Sequence, residues 1–222
     1  MGHISQETHI HADGVTLNGS LALYHEPNGI VVFVQGIGSG RFSPRNKYIA
    51  NRLHEASIST LLIDLLTPGE RTIVRNRDQQ SNIDWLYARL NTVLDWLTKQ
   101  KETAELSIAL FGSNLGAAAA LKTAADRPQQ IAAVVSWSGR PDLVIDSLPA
   151  IKAPTLLVAG KYDVTIVNAN RKAAEQLLTT CYLEILSDTG HDLKETSKLD
   201  ELAELSCNWF QQHLPRNSKQ NT

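Results

Sequence analysis

The chain has 222 residues, 42% of them hydrophobic, with 21 basic and 23 acidic side chains and a formal net charge of −2. That length suffices for one large domain with a full core. The near-neutral balance gives no general electrostatic reason to bind nucleic acid or an anionic membrane, so any basic site must be local.

In chain order, the polar start MGHISQETHIHADG has no apolar segment of the kind that directs export, and later apolar runs are too short to span a bilayer. A cytoplasmic protein is expected. VTLNGSLALYHE (15–26) alternates like a half-buried antiparallel strand and ends at a Pro-Asn-Gly turn. After it, strands read as short continuous apolar runs at 30–36, 59–66, 106–112, 131–139, 153–160 and 181–190, as expected when helices cover both faces of a sheet. Helical patterns separate them: 43–56 with Ser43 as N-cap and Pro44 at the first helical position, then 82–100, 114–127 and 168–178. A last helix spans about 198–214, with Leu202, Leu205, Trp209 and Phe210 at core-facing spacing. Alternating strand and helix predict an α/β fold: a mostly parallel, doubly wound sheet with an antiparallel start. Residues 1–214 read as a single domain and 215–222 as a disordered tail. The two cysteines, Cys181 and Cys207, lack metal-site spacing and are expected to be buried and reduced. No metal or other cofactor is implied, and the pattern leaves the oligomeric state open.

In such sheets chemistry gathers beyond the carboxyl ends of the strands. The stretch ALFGSNLGAAAAL runs from a strand into a helix through Gly112-Ser113-Asn114-Leu115-Gly116. A Gly-x-nucleophile-x-Gly turn bends the backbone sharply and displays its central side chain at a helix N-terminus, where N–H groups and the dipole favour negative charge. Here the central side chain is Asn114. Asp163 and His191 each follow a later strand, in the chain order of an acid and a base serving such a nucleophile. The backbone N–H groups of Ile37 and Leu115 would then form an oxyanion hole.

With these motifs in view, the chain from about 15 to 214 resembles an α/β-hydrolase of the dienelactone hydrolase-like group. QGIGSGRFSPRN is similar to that family's HGSGSS...SPRN loop, LLIDLLTPGE to its second-strand segment, GRPDL to its loop after the elbow helix, and TGH to its histidine turn. The resemblance implies a hydrolase of small carboxylic esters or lactones with serine or cysteine at the elbow. Asn114 departs from this, and Gln35 stands where many members carry His.

An amide nitrogen with a delocalised lone pair is no nucleophile. Several routes remain open: Ser113 serving after a one-residue shift, a water held by His191, deamidation of Asn114 to Asp, or a pocket that binds without catalysis. Arg41, Arg45, Arg71, Arg75, Arg77 and Arg140 all follow carboxyl ends of predicted strands. If Arg41, Arg45 and Arg140 converge, an anionic ligand held bidentately is expected; otherwise Arg45 and Arg140 pair with Asp64 or Asp142 and the loop arginines are solvated. Only about a dozen residues separate Gly139 from Ala153, too few for an inserted cap, so the mouth is expected to be open.

Overall fold

The computed structural model describes residues 3–35, 40–190, 193 and 196–215. Its strands are β1 (His3–Ala12), β2 (Val15–Tyr24), β3 (Ile30–Val34), β4 (Ser59–Ile63), β5 (Ile108–Ser113), β6 (Ile131–Trp137), β7 (Thr155–Gly160) and β8 (Cys181–Leu186). They form one eight-stranded sheet in the order β1-β2-β4-β3-β5-β6-β7-β8. β2 pairs antiparallel with β1 and β4, and every later pairing is parallel. The helices are α1 (Pro44–Glu55), α2 (Pro68–Ile73), α3 (Gln79–Leu97), α4 (Leu115–Asp126), α5 (Val164–Gln176) and α6 (Thr196–His213).

Why the central strands are apolar throughout follows from the two cores. On one face Val32, Leu110, Val134 and Leu157 pack under Leu86, Leu90 and Leu94 of α3, the alanines of α4 and Ala173 of α5. On the other, Val31, Phe33, Phe111, Val135 and Val158 pack under Ile49 and Leu53 of α1 and Leu202 and Phe210 of α6. Successive strand residues serve opposite faces, so both must be apolar. This is the α/β-hydrolase fold, as the resemblance implied. Between β6 and β7 the chain makes only a 3₁₀ segment, Pro141–Ala150, anchored by the buried Leu148, so no cap is inserted there.

The structure adds two elements that the sequence reading leaves out. β1 zips onto β2 from His3 opposite Tyr24 to Ala12 opposite Val15. Asp13 (φ 48°) and Gly14 (φ 79°) form the connecting turn, one of the residue pairs favoured in two-residue hairpins because both positions need positive φ. From Ile4 to Ala12 of β1 only Thr8, Ile10 and Ala12 are buried; the polar residues between them face out, and that alternation was the available signal. α2 begins with a capping box: Glu70 N–H donates to Thr67 Oγ1 at 3.3 Å, and Thr67 N–H to Glu70 Oε2 at 2.7 Å. Two helix starts also move. α3 opens at Gln79 because Asp78 accepts from Ser81 N–H at 2.8 Å, and α5 opens at Val164 because Asp163 accepts from Ile166 N–H at 3.3 Å. Ser43 does precede α1, with Pro44 first, but its hydroxyl makes no cap bond.

Cys181 and Cys207 are free and half-buried. No described helix is long and apolar enough to cross a membrane, and among the described residues no His, Cys, Asp and Glu group could hold a metal. The tail from 216 onward lies outside the described residues.

Candidate active site

The strand-to-helix turn after β5 is built by what its glycines lack. A Cβ on Gly112 would lie 2.5 Å from Ala117 Cα, and one on Gly116 2.3 Å from Val34 O. Any side chain there would push α4 off the ends of β5 and β3. The following alanines, 117 to 120, are wholly buried and extend this close helix-to-sheet contact. α4 therefore starts hard against the end of β3, where Gln35 is buried. Ile37 itself lies outside the described residues.

Asn114 stands at the apex, with φ 53° and ψ −125°. An L residue adopts this backbone conformation only where surrounding structure forces it. Asn114 N–H donates to Trp137 O at 3.2 Å, tying the turn to β6, and Asn114 O accepts from Ala117 N–H at 3.1 Å. Its side chain does not cap α4. Leu115 opens the helix, in the turn whose N–H groups have no partner within the helix itself. Ser113 differs: it is the last β5 residue, in register with Trp137, and buried, whereas Asn114 is partly exposed.

At the ends of β7 and β8 two loops are stitched together. Lys161 N–H donates to Leu186 O at 2.9 Å and Tyr162 N–H to Thr189 O at 3.0 Å. These bonds bring Asp163 beside the Thr189-Gly190 segment, directly before position 191. His191 lies outside the described residues. Asp163 also acts on Arg140: hydrogen bonding to Asp142 first, and then the charges of Asp142 and Asp163, hold the Arg140 guanidinium above its ordinary value.

The arginines are divided rather than gathered. Arg140 Nε and Nη2 bind both oxygens of Asp142, at 2.9 and 2.7 Å, and Nη1 reaches Gln79 Oε1 at 3.1 Å. Arg41 pairs with Glu7 and stands 3.4 Å from Asp64, while Arg71 Nη2 donates to Asp64 Oδ1 at 2.7 Å. Arg45 is half-buried in the first turn of α1. Asp64 follows β4 and Arg140 follows β6, on opposite sides of β5 in the sheet. Three strand spacings, about 14 Å, separate those strand ends. Asp142 is the acidic partner of Arg140, as the pairing alternative had it, but the loop arginines Arg41 and Arg71 are not solvated as that alternative expected: both meet Asp64.

Comparisons with known proteins agree with this architecture. The Dienelactone hydrolase family model matches residues 27–210. A dienelactone hydrolase from Anabaena variabilis, known by crystal structure, is 40% identical, with a TM-score of 0.90 over 96% of this chain and 99% of its own. Est1E from Butyrivibrio proteoclasticus is 15% identical with a TM-score of 0.79 over 93% of this chain and 98% of its own, a likeness of fold alone. A Mycobacterium tuberculosis H37Rv protein, provisionally named a phosphoribosyl transferase, is 42% identical over 209 residues, covering 94% of this chain and 46% of that protein. The chain thus spans about half the length of the curated relatives it matches.

Proposed function

We propose a function from one premise: the chain belongs to the dienelactone hydrolase family. In our reading it retains that family's ester or lactone pocket, with Asn114 in the nucleophile's place and hydrolysis impaired or altered in consequence. The observation that carries this reading is the backbone of Asn114, positive in φ at the apex of a Gly112/Gly116 turn between β5 and α4. Asp163 would orient His191, His191 would act on a proton at the apex, and the N–H groups of Ile37 and Leu115 would hold the developing oxyanion.

Asn114 offers His191 no useful proton and no reactive lone pair, so the covalent step is missing. What remains is a polar side chain beside a base, able to hold a water or a bound ester in place. The burial of Ser113 within β5 supports an unshifted turn, against Ser113 as the nucleophile. The pairing of Arg41 and Arg140 with carboxylates favours neutral small esters or lactones over anionic ones. The open side left by the missing cap suits small substrates.

A second reading, a pocket that binds a small ligand without turnover, follows from the same asparagine. Hydrolysis of p-nitrophenyl acetate and butyrate by the unmodified chain and by Asn114→Ser separates the cases. The expected result is near-background hydrolysis by the first and a gain on the order of 10²-fold or more in the second. Strong activity in the unmodified chain that disappears in Ser113→Ala would instead make Ser113 the nucleophile. No gain in a folded Asn114→Ser chain would leave the binding reading.

A further inference from the structure

A cleft of about 440 Å³ opens between the β1–β2 hairpin, the end of β4 and the segment entering α1. Asn18, Arg41, Phe42, Asp64, Thr67 and Arg71 are among the residues on its walls. Asp64 joins two of its arginines. Oδ1 accepts from Arg41 N–H at 2.9 Å and from Arg71 Nη2 at 2.7 Å. Oδ2 has only the Arg41 Nε at 3.4 Å among the described residues, so this oxygen keeps acceptor capacity. Asn18 Oδ1 is engaged by the His9 ring at 2.8 Å, which leaves its amide N–H groups as donors.

The charges in this wall decide what it can hold. Arg41 and Arg71 are balanced by Asp64 and by Glu7, whose carboxyl is held below its usual value chiefly by its hydrogen bond from Arg41. With both guanidiniums already met by carboxylates, the wall offers a bare phosphate or carboxylate less than an unpaired arginine cluster would. It does set fixed donors beside a carboxylate acceptor, and a hydroxyl group needs both at once, since it donates and accepts. Phe42 adds an apolar surface: it is 61% exposed, with Arg41 Cζ 4.4 Å and Lys47 Nζ 4.9 Å from its ring centre. A sugar ring has the matching duality of a C–H face and a hydroxyl edge.

We propose that this cleft is a subsite for a neutral, hydroxyl-rich group, a sugar or polyol. β4 lies two strands from β5, so the cleft mouth stands roughly 10 Å from the Asn114 turn. That is the reach of an ester whose alcohol portion is a sugar or polyol. The subsite role rests on the proposed ester pocket, but binding in the cleft requires no turnover, so the two can fail separately.

Saturation-transfer NMR and calorimetry on the full chain, with D-ribose, myo-inositol, ribose 5-phosphate and inorganic phosphate as probes, test it. Ribose and ribose 5-phosphate are expected to bind within about threefold of each other at millimolar strength, with inorganic phosphate silent. Asn18→Ala is expected to weaken ribose binding about tenfold and Asp64→Asn to abolish it. If Asp64→Asn does not fold, Asn18→Ala alone decides. Failure of every sugar and polyol to bind, phosphate binding as tightly as ribose 5-phosphate, or ribose binding unchanged in Asn18→Ala would each overturn the proposal. Hydrolysis by Asn114→Ser with no sugar binding would overturn the subsite and leave the proposed ester pocket standing.

Discussion

Asn114 is a residue held where only glycine is comfortable. Its φ of 53° with ψ of −125° costs about 1–3 kcal/mol, maintained by the contacts of Gly112 and Gly116 with neighbouring backbone. Asn114→Gly removes that strain but adds freedom to the unfolded chain, which costs about 0.5–1 kcal/mol. The variant is therefore expected to be more stable by about 1 kcal/mol in a denaturant titration; a loss of stability would mean that the Asn114 side chain contributes more than the backbone strain removes. The cysteines give a second test at this scale. Burial pushes the Cys181 and Cys207 thiols up to about 11. At pH 8 only about one in a thousand is then thiolate, so alkylation by iodoacetamide should run roughly 200-fold slower than for an unperturbed cysteine. Rapid labelling of either residue, followed by mass spectrometry, would contradict their half-buried placement.

Among the elements, the least obvious joint is the one Arg89 makes. From α3, with its side chain only 3% exposed, it reaches Glu70 Oε1 in α2 at 3.0 Å and Asp13 Oδ2 in the β1–β2 turn at 3.2 Å. Glu70 closes the α2 capping box with its other oxygen, so one guanidinium joins α3, the helix start beside the cleft, and the hairpin. Replacing Arg89 by Ala strands a largely buried carboxylate and should cost about 3 kcal/mol in chemical denaturation. Arg89→Lys should recover only part, because a point ammonium cannot span both partners as the planar fork does. Arg52→Ala serves as the contrast. Its pair with Glu55 is exposed on both sides, and its loss should stay within about 0.5 kcal/mol.

Over the whole molecule, one sheet carries both cores, so the layers should melt together. The tryptophans sample both: Trp85 and Trp96 pack against the α3 side, while Trp137 and Trp209 belong to the α1 and α6 side. Fluorescence and far-ultraviolet circular dichroism are expected to give coincident, single urea transitions. Separate transitions would divide the chain at the sheet and end the single-domain reading of residues 1–214.

The strand-helix alternation, the buried parallel strands and the glycine-framed turn around Asn114 were all legible in the sequence, because each depends on local chemistry: apolar runs, alanines, and glycines at fixed spacing. β1 and α2 carried local signals too, an Asp-Gly turn and a Thr67/Glu70 capping box, but their polar exposed residues hid them from a search for apolar periodicity. Partnership is another matter. Which carboxylate meets which arginine is set by strand order, and β3 enters the sheet between β4 and β5 although β4 follows it in the chain. That crossover places Arg41 and Arg71 on Asp64 and leaves Arg140 to Asp142, on the far side of β5. A sequence determines which groups are available and which stretches can fold locally; only the tertiary structure, by bringing residues distant in the chain within a few ångströms, decides which charges are neutralised and which polar wall a ligand would meet.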